Sequence, residues 1–414
     1  MRKRIINSGG IISLQQGEIP RRKKELNLTG VINHKDVIVE DEKILDIVGR
    51  SKPDKSDFLV DAKGMWIMPG IVDAHTHPIF GGQRYNEFYL RAQGKSYLEI
   101  AEQGGGILST VEQTRCSNPE ILYEKGVRII NKFLELGTTT IEAKSGYGLS
   151  LEDEVKILSV IRDLNKNTKM DIFPTFLGAH SVPREYKSNP QDYVKLLCDR
   201  MIPEIASSRL ADYLDVFCEK GAFSIEQTEK ILNSAKLNKL KIRMHAEQLS
   251  HNEIVPVAMK YSPVSLDHGV MVSPQDIQLL AKSSTTVILL PGTEIVLNQT
   301  TFAPAREMIE QGCIIALATD FNPGSCPIQS MWLIASFAVL KLNLTIAEIL
   351  NAITVNAAYS LGIADKVGQI KPGYQADIIF LDIDNPLEIP YWIGANPVKA
   401  VMKKGQIVYQ RNYG

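Results

Sequence analysis

Apolar and polar positions along the 414 residues fall into two textures. At both ends they form short runs broken by turn residues. Val37-Ile38-Val39-Glu40 and Lys43-Ile44-Leu45-Asp46-Ile47-Val48 predict strands near the start. After the turn-rich Gly368-Gln369-Ile370-Lys371-Pro372-Gly373, the runs Ala376 to Asp382 and Gln406-Ile407-Val408-Tyr409 predict strands near the end. Neither end alone can bury a core, and pairing them solves that for both. The pattern therefore predicts a small β-sandwich domain built from residues 1–64 and 366–414.

Between them, over residues 65–365, short runs rich in Val, Ile, Thr and Phe alternate with amphipathic helical stretches. That is the pattern of βα units around a parallel sheet. The runs are Trp66 to His77, Thr138 to Lys144, Asp171 to Phe176, Leu214 to Cys218, Lys241 to His245, Val264 to His268, Thr286 to Leu290 and Ile314 to Asp320. Eight such units predict an α/β fold, a closed (β/α)8 TIM-type barrel.

In such a barrel, catalytic groups gather at the C-terminal strand ends. Five of the seven histidines meet that condition. His75 and His77 end the first run, His180 follows the third, His245 ends the fifth and His268 ends the sixth; only His34 and His251 fall elsewhere. Asp320 ends the eighth. Alternate residues of a strand share a face, so His75 and His77 present two imidazoles together. A His-x-His pair on its own is weak, because short motifs recur by chance. With His245 and Asp320 at the same rim it becomes a metal site suited to zinc or iron.

Composition narrows the picture without redirecting it. Hydrophobic residues at 44% and charged residues at 22% are ordinary for a soluble globular protein. A net charge of −1 leaves no electrostatic footprint for nucleic acid, so an anionic substrate must meet a local cation. Five cysteines without a Cys-x-x-Cys pair cannot form a complete intrachain disulfide framework, which points to the cytoplasm. The basic start is broken by Asn7-Ser8-Gly9-Gly10 and makes no signal peptide, and no apolar run is long enough to span a bilayer.

Asp73-Ala74-His75-Thr76-His77 after the first strand, His245 on the fifth, His268 on the sixth and Asp320 on the eighth resemble the amidohydrolase superfamily, whose usual companion is a β-sandwich from both chain ends. Some members carry a second metal bridged by a carboxylated Lys on strand four. Here strand four reads Val216-Phe217-Cys218-Glu219, with Lys220 just beyond, and Lys144 falls on strand two. The resemblance thus implies one Zn2+ or Fe3+ held by His75, His77, His245 and Asp320.

Further motifs sharpen the resemblance over nearly the whole chain: Pro69 to Pro78 running into Phe80-Gly81-Gly82-Gln83-Arg84, Gly104-Gly105-Gly106-Ile107, Glu142 to Leu149, Leu177-Gly178-Ala179-His180, His245 to Leu249 and Ala318 to Ser325. They are similar to the branch that opens the cyclic amide of 4-imidazolone-5-propanoate to N-formimidoyl-L-glutamate in histidine degradation. That likeness implies substrate contacts from Arg84, Tyr147, His180, Gln248, Asn322, Gly324 and Ser325, with Tyr97 a weaker candidate. It implies Asp320 and His268 as the catalytic pair, and a homodimer.

The chemistry of each is reasonable. Arg presents a planar fork matched to the substrate's propionate, although most Arg residues are solvated surface cations. Tyr147, between Gly146 and Gly148, is either a loop-tip contact or a packed aromatic. Asn322-Pro323-Gly324-Ser325 is also a plain turn sequence. Some relatives have Glu where this chain has Gln248. Gln cannot take a proton, and Glu247 would face the other way, which leaves proton work to Asp320 or His268. A deaminase of a cyclic amidine, a non-catalytic barrel and a metal-storage protein remain as rival readings.

Overall fold

The computed structural model describes residues 1–95, 99 and 105–411. Eight parallel strands follow one another in chain order: Ile71–Asp73, Thr138–Lys144, Asp171–Ala179, Tyr213–Cys218, Lys241–Ala246, Ser265–His268, Thr286–Leu289 and Ile314–Leu317. These are barrel strands one to eight. Nearly every residue on them is buried, because helices cover the outside and side chains fill the inside. That double burial is why they read as continuous apolar runs. The helices have clear starts: Asn118 caps Pro119–Glu135, Ser150 caps Leu151–Asn167, and Ser224 with Gln227 forms a capping box on Ile225–Leu237.

Two runs differ in detail from the sequence reading. Trp66 to His77 is two strands. Trp66–Pro69 pairs antiparallel with Ile378–Leu381 in a terminal sheet, and Ile71–Asp73 joins the barrel. The chain changes sheets at Gly70, where a Cβ would lie 2.2 Å from Thr139 Oγ1, so only glycine passes that close to strand two. Strand three runs on to Ala179 and delivers His180 to the rim.

The barrel closes beyond its first and last strands. Thr76 and Phe321 form a parallel bridge. The His77 N–H donates to the Phe321 carbonyl at 2.8 Å, and the Asp320 N–H donates to the His75 carbonyl at 3.1 Å. Asp73 adds a clamp, accepting from the Thr319 N–H at 3.1 Å and the Thr319 hydroxyl at 2.6 Å.

The chain ends build two further sheets. One has four strands from the N-terminal segment, and the other takes three strands from each end. They share a core in which Ile5, Val37 and Val39 meet Ile11, Ile67, Phe380 and Met402. Asp171, opening barrel strand three, ties the barrel to this unit through Lys403 at 2.7 Å, Lys404 at 2.7 Å and Gln375 at 2.9 Å. Among the described residues, no helix is long and apolar enough to cross a membrane.

Candidate metal centre

The C-terminal rim gathers His75, His77, Asp320, His245, His268 and His180 around one point. His75 Nε2 and His77 Nε2 stand 3.3 Å apart, and Asp320 Oδ1 lies 3.5 and 3.4 Å from them. Nitrogen or oxygen ligands of a tetrahedral zinc, each about 2.0–2.1 Å from the ion, would be separated by about 3.3 Å. Lone pairs aimed at one another across that distance repel unless a cation lies between them. The residues therefore fit a metal.

His245 and His268 complete a second overlapping group with His75, whose ligand atoms all lie within 4.8 Å. Ring centroids are 4.5 Å apart for His75 and His245, and 5.3 Å for His245 and His268. Both groups are buried.

Carboxylates behind the imidazoles fix their orientation. Asp267 Oδ2 lies 2.7 Å from His75 Nδ1, and Asp215 Oδ2 lies 3.0 Å from His245 Nδ1. A proton on each Nδ1 leaves the Nε2 lone pair facing the centre. Burial works against charging His75, but Asp267 and Asp320 raise its pKa to about 9, so a metal bound at Nε2 would displace a proton from it. For His245 burial dominates, and its pKa falls to about 3. Burial would raise the Asp320 carboxyl, yet His75 and His77 hold it well below the usual range. Its Oδ2 accepts from the Thr293 hydroxyl at 2.6 Å. Asp320 and His268 both have left-handed backbone, with φ of 51° and 76°, which L side chains adopt at a cost and which recurs at functional sites.

The expected substrate residues surround this centre unevenly. Arg84 is buried beside the Asn322–Ser325 loop, and its guanidinium pairs with Glu87 at 2.7 Å. A Cβ on Gly324 would fall 1.9 Å from Arg84 Nη1, so glycine is required there for the guanidinium to lie against the backbone. Both border a cavity of about 660 Å³, lined also by Phe80, Lys125, Arg128 and Phe321. Tyr147 is packed rather than exposed, its ring 6.1 Å from His77 and 5.7 Å from His180. His180 stacks on His77 at 5.3 Å, and its Nδ1 lies 3.1 Å from the Gly146 carbonyl. Burial, then the neighbouring His77 and His245, holds His180 well below its ordinary pKa, so it stays neutral.

Asn322 uses both ends of its amide on its own loop. It donates to the Asp320 carbonyl at 2.7 Å and to the Ser325 hydroxyl at 2.9 Å, and accepts from the N–H groups of Gly324 and Ser325 at 2.8 and 2.7 Å. Its first role is to hold the loop behind Asp320. Gln248 is half-buried in the turn after strand five, and among the described contacts nothing joins it to the other candidates. Glu247 has φ of 54° and turns its carboxylate to His251 Nδ1 at 2.7 Å, away from the centre. Tyr97 and Gly104 lie outside the described residues.

Sequence reasoning missed Asp215, Asp267, Thr293 and Glu294. The signal for the first two was present, an acid inside an apolar strand run. Glu294 is buried with Oε1 4.0 Å from His268 Nδ1.

A family model described as "Amidohydrolase family" matches residues 66–408. Imidazolonepropionases from two strains of Bacillus cereus are 40% and 41% identical to this chain over 410 residues, covering 98% of it and 96% of theirs. One from Bacillus mycoides is 40% identical over the same span. Among solved structures, guanine deaminase of E. coli superposes with a TM-score of 0.75 at 15% identity, covering all of both chains. A zinc-bound adenosine deaminase from Xanthomonas campestris gives 0.71 at 18%, covering 98% of this chain and 92% of its own. At that identity the likeness is one of fold.

Proposed function

The chain belongs to the amidohydrolase family, and on that premise we propose that it hydrolyses the cyclic amide of 4-imidazolone-5-propanoate to N-formimidoyl-L-glutamate, a step of histidine degradation to glutamate. The geometric observation that carries this reading is the buried Arg84 guanidinium lying against the loop that follows Asp320. It provides a carboxylate anchor beside a metal centre, as a ring bearing a propionate requires.

His75, His77, His245 and Asp320 would hold one Zn2+ or Fe3+. When bound, the metal supplies the Lewis acidity that makes water a nucleophile near neutral pH and polarises the lactam carbonyl. Asp320 takes the attacking water's proton and passes it to the leaving ring nitrogen. His268 donates to the oxyanion that develops on the carbonyl oxygen. Arg84 holds the propionate and so fixes the distance from ring to water. Tyr147 and neutral His180 wall the ring, with Gln248, Asn322, Gly324 and Ser325 completing the pocket. The five free thiols support a reducing compartment, and a homodimer in the cytoplasm is the assembly we assign.

The deciding experiment is turnover of 4-imidazolone-5-propanoate beside guanine and hydantoin, with elemental analysis of the same sample. Ring opening of the imidazolone with about one metal per chain is expected. Preferred deamination of guanine, or two metals per chain, would overturn the assignment.

A further inference from the structure

We propose that Lys144 is a positioning residue that binds two metal-holding imidazoles, on different strands, to one buried ammonium, so that the centre assembles as a unit. The inference rests on the reading that His75 and His245 hold the metal.

Lys144 ends barrel strand two and points into the barrel, with no solvent exposure. Its Nζ lies 2.6 Å from Asp215 Oδ2, 2.7 Å from Glu142 Oε1 and 3.4 Å from Asp267 Oδ2. An ammonium has three N–H donors, and three carboxylates receive them. Two of those oxygens carry the contact onward. Asp267 Oδ2 also meets His75 Nδ1 at 2.7 Å, and Asp215 Oδ2 meets His245 Nδ1 at 3.0 Å. The result is one continuous chain: His75, Asp267, Lys144, Asp215, His245. It joins strands one, six, two, four and five beneath the metal centre.

Burying a carboxylate without a counter-charge is costly, and a protonated carboxyl would compete with Nδ1–H for the donor role. Lys144 removes that cost for both aspartates at once. The other buried cation nearby, Arg243, shares Glu142 Oε1 with Lys144, its Nε lying 3.0 Å from that oxygen. Its Nη groups donate to the carbonyls of Ala74 at 2.9 Å and Ser360 at 3.1 Å, so of the two cations Lys144 is the one in contact with both aspartates. The surroundings also fix the chemical form of Lys144. Carboxylating its amine would bring a fourth negative charge among three carboxylates, whereas the ammonium satisfies all of them. Lys144 therefore acts from beneath the metal as a cation and does not bridge a second ion.

The test is metal affinity, measured on the full chain by competition with dipicolinate, alongside the melting temperature of the metal-stripped protein. Lys144→Met should weaken metal binding by about 10–100-fold. Lys144→Arg should recover part of it. The charge-balanced pair Lys144→Met with Glu142→Gln should show the same loss with the metal-free melting temperature near that of the parent. A folded Met variant with the parent's metal affinity would overturn the proposal.

If no Met variant folds, Asp215→Asn and Asp267→Asn decide, because each lowers the buried charge. A linked unit predicts that the double substitution weakens binding less than the product of the two single losses. Losses that multiply would overturn it. A parent chain that binds no metal refutes the metal-centre reading itself, a different result from a metal-binding parent with indifferent Lys144 variants.

Discussion

His75 and Asp320 meet twice. The Asp320 N–H donates to the His75 carbonyl at 3.1 Å, and Asp320 Oδ1 stands 3.5 Å from His75 Nε2. The first contact closes the barrel between its first and last strands; the second gives two candidate ligands a separation that suits one ion. Closure and ligand spacing are thus set by the same residues. Asp73, gripping Thr319 across the same seam, serves both.

Asp320→Asn keeps the side-chain shape but loses the ability to take the water's proton. Its kcat for ring opening should fall by about a thousandfold or more. Steady-state kinetics with metal content measured on the same preparation would check this; near-parent kcat with metal bound would refute the role.

Arg84→Ala should raise KM and lower kcat/KM by about a hundredfold, from loss of a charge-assisted pair. Gly324→Ala should do the same more weakly, because its methyl would occupy the space 1.9 Å from Arg84 Nη1. Both should retain metal. An unchanged KM in Gly324→Ala would show that Arg84 does not act from this position.

Stripping the metal should lower the melting temperature by several degrees, since an ion held at a thousand times its Kd stabilises by about 4 kcal/mol. Asp73→Ala should reduce that metal-dependent gain by loosening the seam. Calorimetry with and without added zinc measures both; an equal gain in parent and variant would separate the seam from the centre.

Asp171 lies between Lys403 and Lys404, which hold its carboxyl below the ordinary value although burial pushes the other way. A carboxyl depressed on folding stabilises the protein above its unfolded pKa and loses that contribution as pH falls through the folded value. Asp171→Asn should therefore cost about 1–2 kcal/mol near neutral pH. The gap from the parent should narrow as pH falls below about 4. Urea denaturation at about pH 7 and about pH 3 would reveal it, and a constant gap would count against the ion pair.

The sequence by itself determined the barrel and the identity of the rim histidines. Strands buried on both faces must be apolar, so His75, His77, His245 and His268 stand out at the ends of such runs. It also placed Lys144 on strand two, which kept it from being taken as a strand-four bridge. What only the tertiary structure decided is what those residues touch. Trp66 to His77 reads as one apolar run, because a strand joining a terminal sheet and a strand joining the barrel are buried alike; only the pairing partners divide it at Gly70. Asn322 reads as a pocket residue, and only the folded loop shows that both ends of its amide hold the turn behind Asp320. Asp215, Asp267 and Lys144 lie 52 to 123 positions apart, and no local pattern links them. Hydrogen bonds and ion pairs act over about 3 Å, so their partners are fixed only when barrel closure brings distant strands together.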